Sequence, residues 1–188
     1  FGPEPIRQRL ALGDARVLVT TAALYQRKVA PIRSSLPGLA QVLVVGAPGQ
    51  SAVPYGTLDF HRLLAEAAPD FEIPATDPEA MALLHFTSGT TGTPKGVMIT
   101  NDQFIFAGEA LVDAGLFVRD DTHLLFLPFS HAFAQTIKAA WFGSGLRMIY
   151  AESWDRLVDN AGETGPTVIS GVPRVFEKSF SSVVAGGL

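Results

Sequence analysis

Short apolar runs recur along this 188-residue chain, and segments long enough to form helices separate them. The runs are "ARVLVTT", "QVLVVG", the stretch into Phe86, "HLLFLP", "LRMIY" and "PTVIS". Their apolar residues are continuous rather than alternating with polar ones, as in strands covered on both faces. Strands of that kind with helices between them predict an α/β fold, a largely parallel sheet flanked by helices. The helices are expected over residues 3–12 with a stop at Gly13, 25–34 with a kink or end at Pro31, and 59–68. Further helices are expected over 101–114, capped by the Asn101 side chain, and over 132–141, 153–161 and 173–184. Residues 68–78 hold three prolines and two aspartates. They read as a surface connection and as the one internal boundary of a domain that otherwise fills residues 1–188.

Composition narrows the function classes. Hydrophobic residues make up 47% of the chain, enough for a packed core. The net charge is only -4 and no basic cluster occurs, which argues against nucleic acid as a partner. The chain has no cysteine, so it has no disulfide framework or thiolate metal site, and a cytoplasmic location is expected. No apolar run approaches the roughly 20 residues of a membrane helix. The chain begins at Phe1 and stops at "VVAGGL", so it is expected to be a piece of a longer protein.

The chemistry concentrates in "FTSGTTGTPKG", residues 86–96. Glycines let backbone N–H groups converge on one point and let a ligand approach closely, which fits Gly89, Gly92 and Gly96. Hydroxyls on Thr87, Ser88, Thr90 and Thr91 can donate to anionic oxygens or coordinate a divalent cation. Lys95 adds a mobile point charge suited to polyphosphate, and Pro94 stiffens the turn that presents it. The position after a strand matches the rule that ligands of open α/β sheets sit at the carboxyl ends of strands. The spacing is not that of the common nucleotide loop, in which glycine is followed after four residues by Gly-Lys-Ser/Thr. A plain Ser/Thr/Gly surface connection is the alternative reading of these residues. His131 has its own alternative, a capping or packing residue at a strand-to-helix junction, and Phe129, Phe133 and Trp141 are either tunnel lining or core. His61, His85 and His123 show no ligand spacing and are expected to be structural.

The string "TSGTTGTPKG" resembles the phosphate-binding signature of the acyl-adenylate-forming superfamily of AMP-dependent synthetases and ligases. The resemblance implies part of that family's large N-terminal domain. Thr87, Ser88, Gly89, Thr90, Thr91, Gly92 and Lys95 would then embrace the β- and γ-phosphates of ATP, with Thr87 nearest magnesium. "LPFSHAFAQ" and "PTVISGVPRVFEK" look like synthetases for long-chain fatty acids, whereas the region before residue 45 looks like acyl-CoA synthetases that include those for short acids. By this resemblance His131, Phe133 and Gly171 border the acyl pocket, a fatty acid is the substrate, and CoA is the acceptor. Another carboxylic acid such as acetate, or a nucleotide-binding or structural piece without turnover, is the alternative. "TNDQ" at 100–103 stands where relatives often have a "THRN"-like segment. The family's adenine and ribose motifs, its C-terminal domain and its late catalytic lysine are not found among these residues, so no catalytic residue is assigned.

Overall fold

The structure, a computed structural model, describes residues 1–46, 53–87, 94–177 and 180. They fall into two compact units, Phe1–Thr76 with Leu84–Met98, and Asp77–Leu83 with Ile99–Leu188.

In the first unit α1 (Pro3–Leu12) begins with proline in its first turn, where no N–H is missed, and ends at Gly13. β1 (Val17–Thr20) and β2 (Gln41–Val44) pair in parallel from Val17↔Gln41 to Thr20↔Val44. β3 (Leu58–Asp59) adds to β2 in parallel. A parallel pair needs a crossover. It is supplied by α2 (Ala22–Leu24), a π-helical stretch (Tyr25–Val29) and a 3-10 helix (Ala30–Ser35). The helix predicted over 25–34 is thus split into two non-α forms. Pro31 sits in the first turn of the 3-10 piece, where its lacking donor costs nothing. Tyr25, Val29, Leu36, Leu39, Val42 and Val44 form the buried core. β1 departs from the prediction of strands covered on both faces, since Val17 and Val19 are 51% and 52% exposed. α3 (Phe60–Glu66) is shorter than predicted and is capped by Asp59, whose carboxylate accepts the Arg62 N–H at 2.9 Å.

β4 (Met81–Thr87) and β5 (Lys95–Thr100) pair with each other. α4 (Asn101–Asp113) follows directly. Its cap is Thr100 and not Asn101: Thr100 and Gln103 exchange side-chain and backbone hydrogen bonds in a capping box. The Asn101 amide instead donates to the carbonyls of Asp77 and Ala80, both at 3.1 Å, and ties the helix start to the residues before β4.

The second unit is organised around β6 (Thr122–Leu125), which pairs in parallel with β7 (Arg147–Tyr150). α5 (Ala132–Ser144) is the crossover and ends at Gly145, whose φ of 71° requires a residue without Cβ. His123, Leu124 and Leu125 are all buried. Leu125 packs with Phe117, Ile137, Ala140 and Leu146 on one side. Leu124 packs with Leu157 and Val175 on the other. This is the two-sided burial that a continuous apolar run predicts. The predicted strand "PTVIS" reduces to a single parallel bridge, Val168 to His123. α6 (Leu157–Thr164) starts later than predicted, because the Glu152 N–H is taken by the Asn160 side chain at 3.0 Å and the buried face begins at Leu157. Of the helix predicted over 173–184, residues 173–177 are helical and the remainder lies almost wholly outside the described residues.

α4 and α5 touch backbone to backbone at Gly108. A Cβ there would lie 2.5 Å from the Ala139 carbonyl carbon and 2.6 Å from the Ala140 nitrogen. Alanine favours a helix by about 1 kcal/mol over glycine. Overpacking against backbone that cannot yield costs more, so Gly108→Ala should destabilise the fold by about 1–3 kcal/mol in chemical denaturation. A more stable variant would mean that the two helices separate easily.

Candidate functional site

In the first unit the candidate residues stand at the two inner ends of β4 and β5. β4 delivers Thr87 at its carboxyl end, and β5 starts with Lys95. Both are exposed, whereas Pro94 is buried. The buried proline fixes φ just before the lysine, so the ammonium leaves from an anchored point. The Thr87 hydroxyl donates to the Lys95 carbonyl at 3.5 Å, too long to hold it firmly. The structure therefore brings a hydroxyl and a cation together on adjacent strand ends. The Ser88, Gly89, Thr90, Thr91 and Gly92 assignments lie outside the described residues.

Gly96 lies within β5, as an extended piece from residue 96 requires, and a Cβ there would come 3.0 Å from the Leu84 side chain. Its glycine lets β5 pass close over Leu84.

In the second unit His131 precedes α5 and is exposed, with no side-chain cap bond. Its backbone N–H donates to the Pro128 carbonyl at 2.9 Å, and its carbonyl accepts from Gln135. Phe133 is 43% exposed. Phe129 meets Tyr150 edge-on at 5.9 Å, while Trp141 is partly buried against the core. Gly171 presses against rings: a Cβ would lie 2.9 Å from Phe126 Cζ and 3.4 Å from Phe176 Cε2. Phe126 belongs to the β6–α5 connection that also carries His131, so Gly171 and His131 border one connection.

Lys138 was missed by sequence reasoning. It is the only charged residue of α5, and its ammonium lies 5.4 Å from the Phe104 ring centre and 5.6 Å from that of Phe129. A lone charge within an apolar helix was the available signal. Among the described residues no group of three His, Cys, Asp or Glu stands together to hold a metal. No helix among them is long and apolar enough to cross a membrane.

His61 lies 3.3 Å from the Gly46 carbonyl. His123 is wholly buried on β6, with Nε2 at 3.0 Å from the Ser170 hydroxyl and its ring edge-on to Phe117. Burial lowers its pKa to about 4 from 6.5, against the opposing pull of Asp121. Asp121 is itself held below the ordinary range by the Val118 N–H and the Thr167 hydroxyl, which both donate to it.

The family comparison agrees with this α/β architecture. The AMP-binding enzyme family model matches residues 1–185, and the chain belongs to that family. It is 31% identical over 186 residues to the long-chain-fatty-acid–CoA ligase FadD15 of Mycobacterium tuberculosis, covering 95% of this chain and 30% of the relative. Identity to the human long-chain-fatty-acid–CoA ligase ACSBG1 is 33% over 183 residues, covering 90% of this chain and 25% of that one. The chain thus spans less than a third of the length of these relatives. The crystal structure of a long-chain-fatty-acid-CoA ligase, FadD1 of Archaeoglobus fulgidus, superposes with a TM-score of 0.82 at 23% identity, over 98% of this chain and 36% of that one. At that identity the match establishes the fold, the α/β architecture of adenylate-forming enzymes.

The buried imidazole links stability to pH. In the unfolded chain it takes up a proton below pH 6.5, whereas in the fold it does so only near pH 4. Stability from this group is therefore complete above pH 6.5, falls by about 3 kcal/mol in all as pH drops from 6.5 to about 4, and levels off below that. Denaturation midpoints of wild type and His123→Gln across this window should diverge, the variant losing less stability on acidification. Parallel curves would refute a buried neutral imidazole.

Proposed function

We propose that this chain carries the pyrophosphate-binding portion of an ATP-dependent fatty acyl-CoA ligase. The observation that carries the reading is the placement of exposed Thr87 and Lys95 at adjacent strand ends, bracketing the hydroxyl- and glycine-rich residues 88–93. Long-chain acid ligases among the relatives support the substrate class.

In the reaction a carboxylate oxygen attacks the α-phosphorus of ATP, the bond to the β-phosphate bridging oxygen breaks, and pyrophosphate leaves. The thiol of CoA then loses its proton to solvent, its sulfur attacks the acyl carbon, and the bond from that carbon to the AMP phosphate oxygen breaks, releasing AMP and giving the thioester. A carboxylate is already ionised at neutral pH, so the first step needs no general base. What it needs is alignment and neutralisation of charge on the leaving group. Lys95 supplies a point charge from a rigid strand end, and Ser88, Thr90 and Thr91 supply hydroxyl donors, with Gly89 and Gly92 allowing backbone approach. Magnesium is commonly held by phosphate oxygens with few protein ligands, and the exposed Thr87 hydroxyl fits such a sparse site. When bound, it neutralises phosphate charge. His131, Phe133 and Gly171 border the acyl pocket, and His131 shapes it rather than moving a proton.

Lys95→Ala in the full-length protein should slow pyrophosphate release by about 10²-fold. The exposed position predicts a stability change within about 0.5 kcal/mol. Loss of the folded state would show that Lys95 is structural. Wild-type pyrophosphate release should be faster with a long-chain acid than with acetate, and the opposite order would transfer the protein to short-acid chemistry.

A further inference from the structure

His123 poses a question that the proposed reaction leaves open. It is wholly buried between Phe117 and the apolar residues of β6, where leucine would fill the space without a desolvation cost. Its Nδ1 has no partner among the described residues, so the imidazole's bonding rests on Nε2 and the Ser170 hydroxyl, 3.0 Å apart. A proton on Nδ1 would leave a buried N–H orphaned, which is rarer and costlier than an unused lone pair. Nε2–H is therefore assigned as the donor to Ser170 Oγ.

The segment after α6 is attached to β6 over only part of its length. Thr167 and Val168 donate backbone N–H groups to the Thr122 carbonyl, Leu124 donates to Val168, and the Thr167 hydroxyl donates to Asp121. Beyond Val168 the ladder stops. No backbone hydrogen bond among the described residues holds Ile169, Ser170 or Gly171. Past the ladder's end, the His123–Ser170 side-chain bond at 3.0 Å is the hydrogen bond that ties Ser170 to β6. One residue further on, Gly171 lies against Phe126 and Phe176, with no room for a Cβ.

We infer that His123 is a positioning residue, which through Ser170 sets where Gly171 rests on Phe126 and thereby sets the width of the acyl pocket. The pocket assignment rests on the ligase reading above, whereas the positioning itself does not. Loss of the bond frees residues 169–171 to shift, and the pocket floor moves with them.

The test uses His123→Leu, Ser170→Ala and the conservative His123→Gln in the full-length protein, with two readouts. The first is amide hydrogen exchange at Leu124 and Val168, the bonded amides of the ladder end beside Ser170; the second is kcat and KM for pyrophosphate release with a medium-chain and a long-chain saturated acid. His123→Leu and Ser170→Ala should exchange faster at these amides and change the long-to-medium ratio of kcat/KM by roughly tenfold, mainly through KM. His123→Gln, which keeps a donor, should restore both. Ser170 is only partly buried, so Ser170→Ala remains informative if His123→Leu does not fold. Unchanged exchange in Ser170→Ala overturns the positioning role. Faster exchange with an unchanged acid ratio overturns the link to the pocket. If wild type releases no pyrophosphate with any fatty acid, the ligase reading fails, and exchange alone decides the positioning role.

Discussion

The second unit depends on burying one short strand from both sides. β6 places Leu125 among Phe117, Ile137, Ala140 and Leu146, and Leu124 among Leu157 and Val175. The fully buried positions of the strand are apolar except for His123, and the helix between β6 and β7 in sequence supplies the crossover their parallel pairing needs. α5 is therefore both crossover and cover. It in turn needs α4 beside it, and the two approach closely enough that Gly108 meets the backbone of Ala139 and Ala140. The polar exception on β6, His123, is tolerated because a hydroxyl reaches it.

A different logic governs the phosphate-loop residues. β4 and β5 hold the ends, Pro94 is buried, and Gly96 admits Leu84 beneath β5. Thr87 and Lys95 stand exposed at those fixed ends. Rigid strands that carry exposed polar groups suit a reaction in which the protein aligns a leaving group and balances its charge.

Much of this was legible in the sequence where the signal was local. Proline in the first turn and glycine after the last residue delimited α1 correctly, and Pro31 marked the break in the first crossover. The phosphate-loop composition was equally plain. Local signals failed where two neighbouring residues had the same propensity. Thr100 and Asn101 are both good caps, and Gln103 three residues after Thr100 decides for the threonine. Asn101 was then free to bind the carbonyls of Asp77 and Ala80.

The sequence alone marked most of the strands and helices and one loop whose composition suits a polyphosphate, because propensity, periodicity and side-chain chemistry act over a few residues. Tertiary structure decided what each glycine and histidine is for. Gly108 is glycine because the backbone of Ala139 and Ala140 lies where a Cβ would be, and Gly96 lets β5 pass close over the Leu84 side chain. His123 has its role because Ser170, 47 residues away, is brought within hydrogen-bonding distance. Such pairings come from packing between distant segments, and no short window of sequence contains both partners.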